Sequence, residues 1–275
     1  MDTRIRYLSR SPLFETDKAF STDFPVDHVE GARRTNHEAE HRPMSITAVE
    51  DPSHWELDVH GFCFVHAKTD LAADNVYKNK KEVQAAYWYE IEAILHKSFP
   101  QYSRIESFDL TVNGAGPGLP GILAHRTRSR GYRDEYEQPS STAHCNYSQN
   151  EGYWKDKDFD LLKLDCLLSL FCHLKLMNEH SIWRPLRGPT DDWPLAICDY
   201  TTIDLDEDIR LSDSIRRDLV SEASLLHHNP THRWYYLKDQ GVGDLLVFRN
   251  ANARGKGARK GPPRESVEVR VVAFY

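Results

Sequence analysis

The last third of the chain is a run of strand-like segments, and no other feature limits the fold as strongly. From Ser181 onward, "SIWRPLRGP", "WPLAICDY", "HRWYYLKDQ", "GDLLVFRN" and "ESVEVRVVAFY" are rich in aromatic and β-branched residues, with Gly, Pro, Asp and Asn between them. Such side chains suit a pleated, half-buried surface, and the intervening residues suit turns. The acidic stretch "TTIDLDEDIRLSDS" interrupts the series and is expected as a solvated loop with a short helix. It lacks the loop glycine and terminal Glu that a calcium-binding loop needs.

Helical patterns come earlier. "NKKEVQAAYWYEIEAILHKSF" (79–99) repeats Val83, Ala86, Tyr87, Ile91, Ile94 and Leu95 at helical spacing, and Pro100 stops it. "FDLLKLDCLLSLFCHLKLM" (159–177) predicts a second, buried helix, with Cys166, Cys172 and His173 as core and edge residues. "MSITAVED", "GFCFVHAKT" and "RIESFDLTVNG" add strands; "GAGPGLPG" is a loop with no strand-loop-helix frame around it for a nucleotide. Helices early and strands late make the chain α+β, with a β-barrel or sandwich core. Residues 1–42 are polar and broken and predict an extended arm; residues 43–275 form one domain.

The length of 275 residues suffices for a substantial core. A net charge of -7 disfavours nucleic acid or an anionic membrane as the main partner, which leaves a small molecule. The five cysteines match neither a zinc pattern nor a disulfide framework, so reduced thiols in a cytoplasmic setting are expected. No apolar run has the length of a membrane span or of a signal sequence.

The segment "TAHCNYSQ" (142–149) raises a chemical question. A His-x-Asp on a strand offers two metal ligands from one face, because side chains two apart point the same way. Here the pair is His144 and Asn146.

Several segments together resemble the fungal gibberellin-desaturase-like family of hydroxylases and desaturases. They are "WRPLRGPTDDWPLAICDY", "NPTHRWYYL", "PPRESVEVRVVAFY" and the helix "YWYEIEAIL" followed by "FDLTV". The resemblance runs from about Met44 to Tyr275. It implies a double-stranded β-helix (jelly-roll) core flanked by helices, of the kind that serves non-haem Fe(II)/2-oxoglutarate oxygenases. That chemistry uses two His and one carboxylate, with open positions for the oxoacid and oxygen. The resemblance implies His144 as first ligand, Asn146 at the carboxylate position, and a second His after "GDLLVFRN". There the chain instead reads "ANARGKGARKGPP". Arg264 and Ser266 match the Arg-x-Ser that would hold 2-oxoglutarate, and His232 is the nearby candidate for a substitute ligand.

Three readings follow. The first is an oxygenase pocket without metal or other cofactor, acting as a cyclase or isomerase, a Diels–Alder-type pericyclase included, on a terpenoid or polyketide intermediate. The second is a working Fe(II)/2-oxoglutarate oxygenase with an unusual ligand set. The third is a non-catalytic partner subunit of a homologous enzyme. The first places His144, Asn146, Arg184 and Arg264 at the reacting centre. Tyr147, Trp183, Tyr235, Tyr236 and Ser266 then line the substrate. Arg184 has an alternative as an ion-pair partner of Asp191, Asp192 or Asp199. Tyr235 and Tyr236 alternate, so one faces the cavity. Residues 249–264 are expected as either a lid or a plain exposed loop, and a homodimer is compatible with all three readings.

Overall fold

The computed structural model describes residues 2–76, 80–113, 142–145, 177–190, 194–217, 220–249, 251–252 and 266–274. The expected helix over 159–177, the "GAGPGLPG" loop and most of 249–264 lie outside the described residues, as do Asn146, Tyr147 and Arg264. So do Asp191 and Asp192, two of the three ion-pair partners considered for Arg184.

The described chain runs β1 (Asp2–Leu8), α1 (Leu13–Thr16), β2 (Ala19–Thr22), β3 (Ala39–Val49), α2 (Leu57–His60) and β4 (Phe62–His66). It continues through α3 (Ala73–Val76), α4 (Lys80–Ser98), β5 (Arg104–Asn113), β6 (His144–Cys145), β7 (Met177–Pro185) and β8 (Ile197–Cys198). Strands β9 (Ile209–Ile215), β10 (Val220–Leu226), β11 (Trp234–Leu237), β12 (Asp244–Phe248), β13 (Ala251–Asn252) and β14 (Ser266–Phe274) follow. They form a five-stranded sheet in the order β4-β12-β7-β14-β5, a second five-stranded sheet β13-β6-β10-β9-β2, and a four-stranded sheet β1-β3-β11-β8.

Strand β14 is central, antiparallel to both β5 and β7, and its two faces differ. Val267, Val269 and Val271 are fully buried and share a cluster with Tyr87, Ile91 and Leu95 of α4. These three residues sit four apart and form one stripe of the helix. Each fully buried aliphatic side chain stabilises by about 1.5–3 kcal/mol, so this layer anchors the fold. Ala86, expected on the stripe, is exposed, while Trp88 packs beside it. The other face of the same sheet carries Trp183, Leu246, Phe248 and Phe62, which meet Leu195 and Ile197 of the β8 segment and Tyr235 of β11. That meeting of sheets is the jelly-roll interior.

The first 42 residues supply strands of the body. β1 pairs with β3 from Asp2↔Ser45 to Leu8↔Ala39, and Ile5 and Tyr7 are fully buried. Their period-two alternation is disguised by the arginines between them in "TRIRYL". The acidic stretch also differs from expectation: its second half is β9, and Asp208 is completely buried. Burial would raise the Asp208 carboxyl, but hydrogen bonds from the Asp204 N–H, Asn229 and His232 outweigh it and hold it below the ordinary range. Arg10 adds a 2.8 Å ion pair, so this carboxylate ties the N-terminal segment to the β8–β9 connection and the loop before β11.

Candidate functional site

The interior face of the large sheet is apolar towards β4 and polar towards β5. Alternation puts Ser266, Glu268 and Arg270 of β14 on the side opposite the valines. Glu268 stands across from Trp183 and Arg270 from Ser181, so these side chains share the interior face with the Trp183 cluster. The Ser181 hydroxyl donates to Glu268 Oε1 at 3.0 Å, and Arg270 Nε lies 3.5 Å from the same oxygen. Side-chain exposure is 9% for Glu268 and 14% for Arg270. The Ser266 hydroxyl is fully buried and has no hydrogen-bond partner among the described residues. An orphaned buried hydroxyl is a group still able to bind something.

His144 comes from β6. Its Nδ1 lies 2.7 Å from the Thr142 carbonyl oxygen, which can only accept, so Nδ1 carries the proton and Nε2 of the neutral ring carries the lone pair. This is the posture of a histidine ligand or base, oriented by a backbone carbonyl. Across the ladder His144 stands opposite Leu225 of β10 and Asn252 of β13, and Cys145 opposite Ala251. Leu225 packs with Leu8, Phe14 and Ala19, so the N-terminal segment covers this side of the sheet. The strand that returns beside His144 therefore brings an alanine and an asparagine. Among the described residues no three His, Cys, Asp or Glu side chains gather as a metal site.

The other expected residues divide. Trp183 is buried in the cluster with Phe62, Leu195, Ile197, Leu246 and Phe248. Arg184, its neighbour, points the opposite way and is corrected from a reacting group to a structural one. It is 1% exposed; Nε donates to the Tyr87 hydroxyl at 2.9 Å, Nη2 to Leu71 O at 2.6 Å and Nη1 to Pro185 O at 3.1 Å. This satisfies the guanidinium inside the helix layer, away from the interior. Of the two tyrosines, Tyr235 faces the interior, 4.4 Å between centroids from Trp55 and 6.5 Å from Phe62. Tyr236 is on the opposite face, packed against the group of Tyr7 and Trp234. His232 belongs to that second group: Nε2 is 3.0 Å from Asp208 Oδ2, and the ring stacks on Tyr7. Burial lowers the His232 pKa despite the Asp208 carboxylate, so its ring is already committed to the Asp208 knot.

Sequence reading passed over Ser181 and Arg270, and considered Glu268 only as a partner for Arg264. The Ser-Val-Glu-Val-Arg-Val alternation of 266–271 was visible, but alternation alone sends the polar face to solvent. Only the sheet packed across from it makes that face an interior.

The sequence matches the family model described as "YDMC: Oxidoreductase/YMDC permease-like domain" over residues 5–274, and the chain belongs to that family. It is 26% identical over 250 residues to the Fe(II)/2-oxoglutarate-dependent dioxygenase nvfI of Aspergillus novofumigatus, covering 80% of this chain and 78% of that protein. It is 33% identical over 112 residues to the aspirochlorine biosynthesis protein N of Aspergillus oryzae, where the match spans about half (47%) of the relative. The gibberellin cluster GA4 desaturase of Gibberella fujikuroi is 26% identical over 117 residues, with 34% of its length covered. Among solved structures, the iron and alpha-ketoglutarate-dependent endoperoxidase NvfI superposes with a TM-score of 0.75 at 19% identity, covering 100% of this chain and 97% of that one. The same protein in a different conformation gives 0.74 at 20% identity, with the same coverage. These likenesses bear out the resemblance read from the Trp-Arg-Pro and Pro-Arg-Glu-Ser segments, and with it the jelly-roll fold. The chain is an oxygenase-like member of a fungal secondary-metabolism group. No helix among the described residues is long and apolar enough to cross a membrane.

Proposed function

We propose that the chain is a metal-independent cyclase or isomerase acting on a terpenoid or polyketide intermediate, a Diels–Alder-type cyclisation being one form of that chemistry. What supports this is the set of residues that the sequence offers with His144. Asn146 stands two residues further along, and no histidine follows His232 in the sequence. Fe(II) in a facial triad needs two imidazoles and a carboxylate, and neutral amides are poor substitutes. On this reading, the residues that the sequence offers with His144 lack the second imidazole and the carboxylate that iron would need. His144 and Asn146 would serve as hydrogen-bonding groups to a polarised substrate oxygen. Trp183, Tyr235 and their aromatic neighbours offer an apolar wall against which a flexible substrate can be folded into a near-attack conformer. Arg264 and the orphaned Ser266 hydroxyl would hold a substrate acid or carbonyl where relatives place an oxoacid. The substrate is a small molecule, met in the cytoplasm, with no nucleic-acid or membrane partner.

Iron content and oxoacid turnover of the purified protein test the reading. We expect substoichiometric iron and no succinate from 2-oxoglutarate. One Fe(II) per chain with 2-oxoglutarate turnover would falsify it. The second reading is an Fe(II)/2-oxoglutarate hydroxylase or desaturase with an atypical ligand set, the class to which the named relatives belong. It needs a further imidazole, and His232 is held by Asp208.

A further inference from the structure

We propose that the outer edge of β4 is a docking site for an extended, basic peptide, which adds to the large sheet as one more strand. Among the described residues β4 ends that sheet, with β12 as its neighbour. The hydrogen-bond phase of the pair follows from its two ends. The Arg249 N–H donates to Gly61 O at 2.9 Å, and the Ala67 N–H donates to Gly243 O at 2.9 Å. Both lie in the register that runs from Phe62↔Phe248 to His66↔Asp244. Hydrogen-bonded and non-hydrogen-bonded pairs alternate along an antiparallel ladder, so Cys63 and Val65 bond towards β12. Phe64 and His66 therefore turn their N–H and C=O groups outwards, where no strand meets them among the described residues.

A groove of about 440 Å³ runs along that edge, within the size range of ligand sites. Cys63, Phe64 and Val65 all line it. Successive side chains leave a strand on opposite faces, so a groove that touches all three lies along the edge between them. Phe99, just past α4, lines it as well. Free edges are commonly blunted by lysine, proline or a bulge. The five residues of β4, Phe-Cys-Phe-Val-His, contain neither, and their pairing with β12 is unbroken. Main-chain groups on such an edge can recruit an extended peptide, as in other strand-addition sites. Charge sets the sign of the partner. Glu56 and Asp58 line the groove; Asp58 pairs with Arg249 at 2.8 Å, while Glu56 is exposed and has no ion-pair partner among the described residues. A lysine or arginine in the peptide would meet that carboxylate. A second copy of this chain, docked through the same edge, would bring another Glu56 instead.

The test uses the full chain and a fluorescein-labelled heptapeptide of alternating valine and threonine around a central lysine. Fluorescence anisotropy should show saturable binding with a Kd on the order of 0.1 mM. The Phe64 and His66 amides should exchange more slowly with solvent in the bound protein. The same peptide, N-methylated at every internal amide, keeps its side chains but loses its donors, and should bind roughly ten-fold more weakly. Glu56→Lys should weaken the lysine peptide by about five-fold and favour one with a central glutamate. Phe64→Pro removes an outward N–H while sparing the β12 ladder, and should abolish binding. Thermal unfolding controls for its folding, and the Glu56 charge swap does not depend on it. No saturable binding up to about 1 mM overturns the docking site. Equal binding of the N-methylated peptide overturns strand addition, and equal binding of lysine and glutamate peptides overturns the basic partner. A dimer of the chain that Phe64→Pro dissociates overturns the peptide in favour of a second copy. None of these measurements depends on the chemistry inside the jelly roll.

Discussion

Arg184 and Arg270 are two arginines on adjacent strands of one sheet, set on opposite faces, and their surroundings could hardly differ more. Arg184 is sealed in the helix layer with three backbone carbonyls and a tyrosine hydroxyl within hydrogen-bond reach of its fork. Arg270 faces the sandwich interior beside a carboxylate, with 14% of its side chain accessible. A guanidinium whose donors are spent on carbonyls is architecture, because nothing remains to offer a ligand. The Arg270 guanidinium lies instead beside the Glu268 carboxylate, on the other face of the sheet.

The comparison can be broken at its structural end first. Arg184→Met should cost about 3–5 kcal/mol in urea unfolding, since it strands the carbonyls of Leu71 and Pro185 and the Tyr87 hydroxyl without partners. Arg184→Lys should still lose on the order of 2 kcal/mol, because one ammonium cannot reach all the acceptors set around a fork. A loss below about 1 kcal/mol in the methionine variant would remove the structural assignment.

The helix layer makes a second, pH-dependent prediction. His180, on the Arg184 face of β7, is buried against the Tyr102 hydroxyl at 3.0 Å, and burial, with a smaller contribution from Arg249, pushes its pKa down to about 3. The folded ring resists protonation while the unfolded one accepts it near 6.5. Stability from this group is therefore complete above about pH 6.5 and lost as pH falls towards about 3. Between pH 7 and 5 the loss should approach roughly 2 kcal/mol, and His180→Phe should flatten that part of the profile. Equal slopes in the two proteins would show that His180 does not titrate this way.

Two smaller effects complete the series. Tyr7→Phe should cost about 1–2 kcal/mol, because Trp234 Nε1 now donates to that hydroxyl at 2.8 Å in a buried setting. At the interior end, Arg270→Lys should change stability by less than about 1 kcal/mol, since a cation remains beside Glu268. If Arg270→Lys proves as damaging as Arg184→Lys, the two arginines are alike and the distinction between them fails.

Much of the fold was legible in advance. The strand-like segments after residue 181, the helix ending at Ser98 and the His144 strand correspond to observed elements, because period and turn chemistry are local properties. The site was legible only in part. Trp183 and Tyr235 face the interior, but Arg184 does not, and Glu268 and Arg270 were hidden by an alternation that suggests an exposed face. β1 and β9 were missed because their apolar residues are diluted by arginine and aspartate.

By itself the sequence determined that an asparagine stands two residues after His144 and that no histidine follows His232. Residue identity needs no coordinates. Tertiary structure alone decided which of two adjacent residues, Trp183 or Arg184, belongs to the interior. Alternation says that they face opposite ways. Which way is inward depends on where the second sheet and α4 come to rest, and that is set by burial summed over the whole molecule.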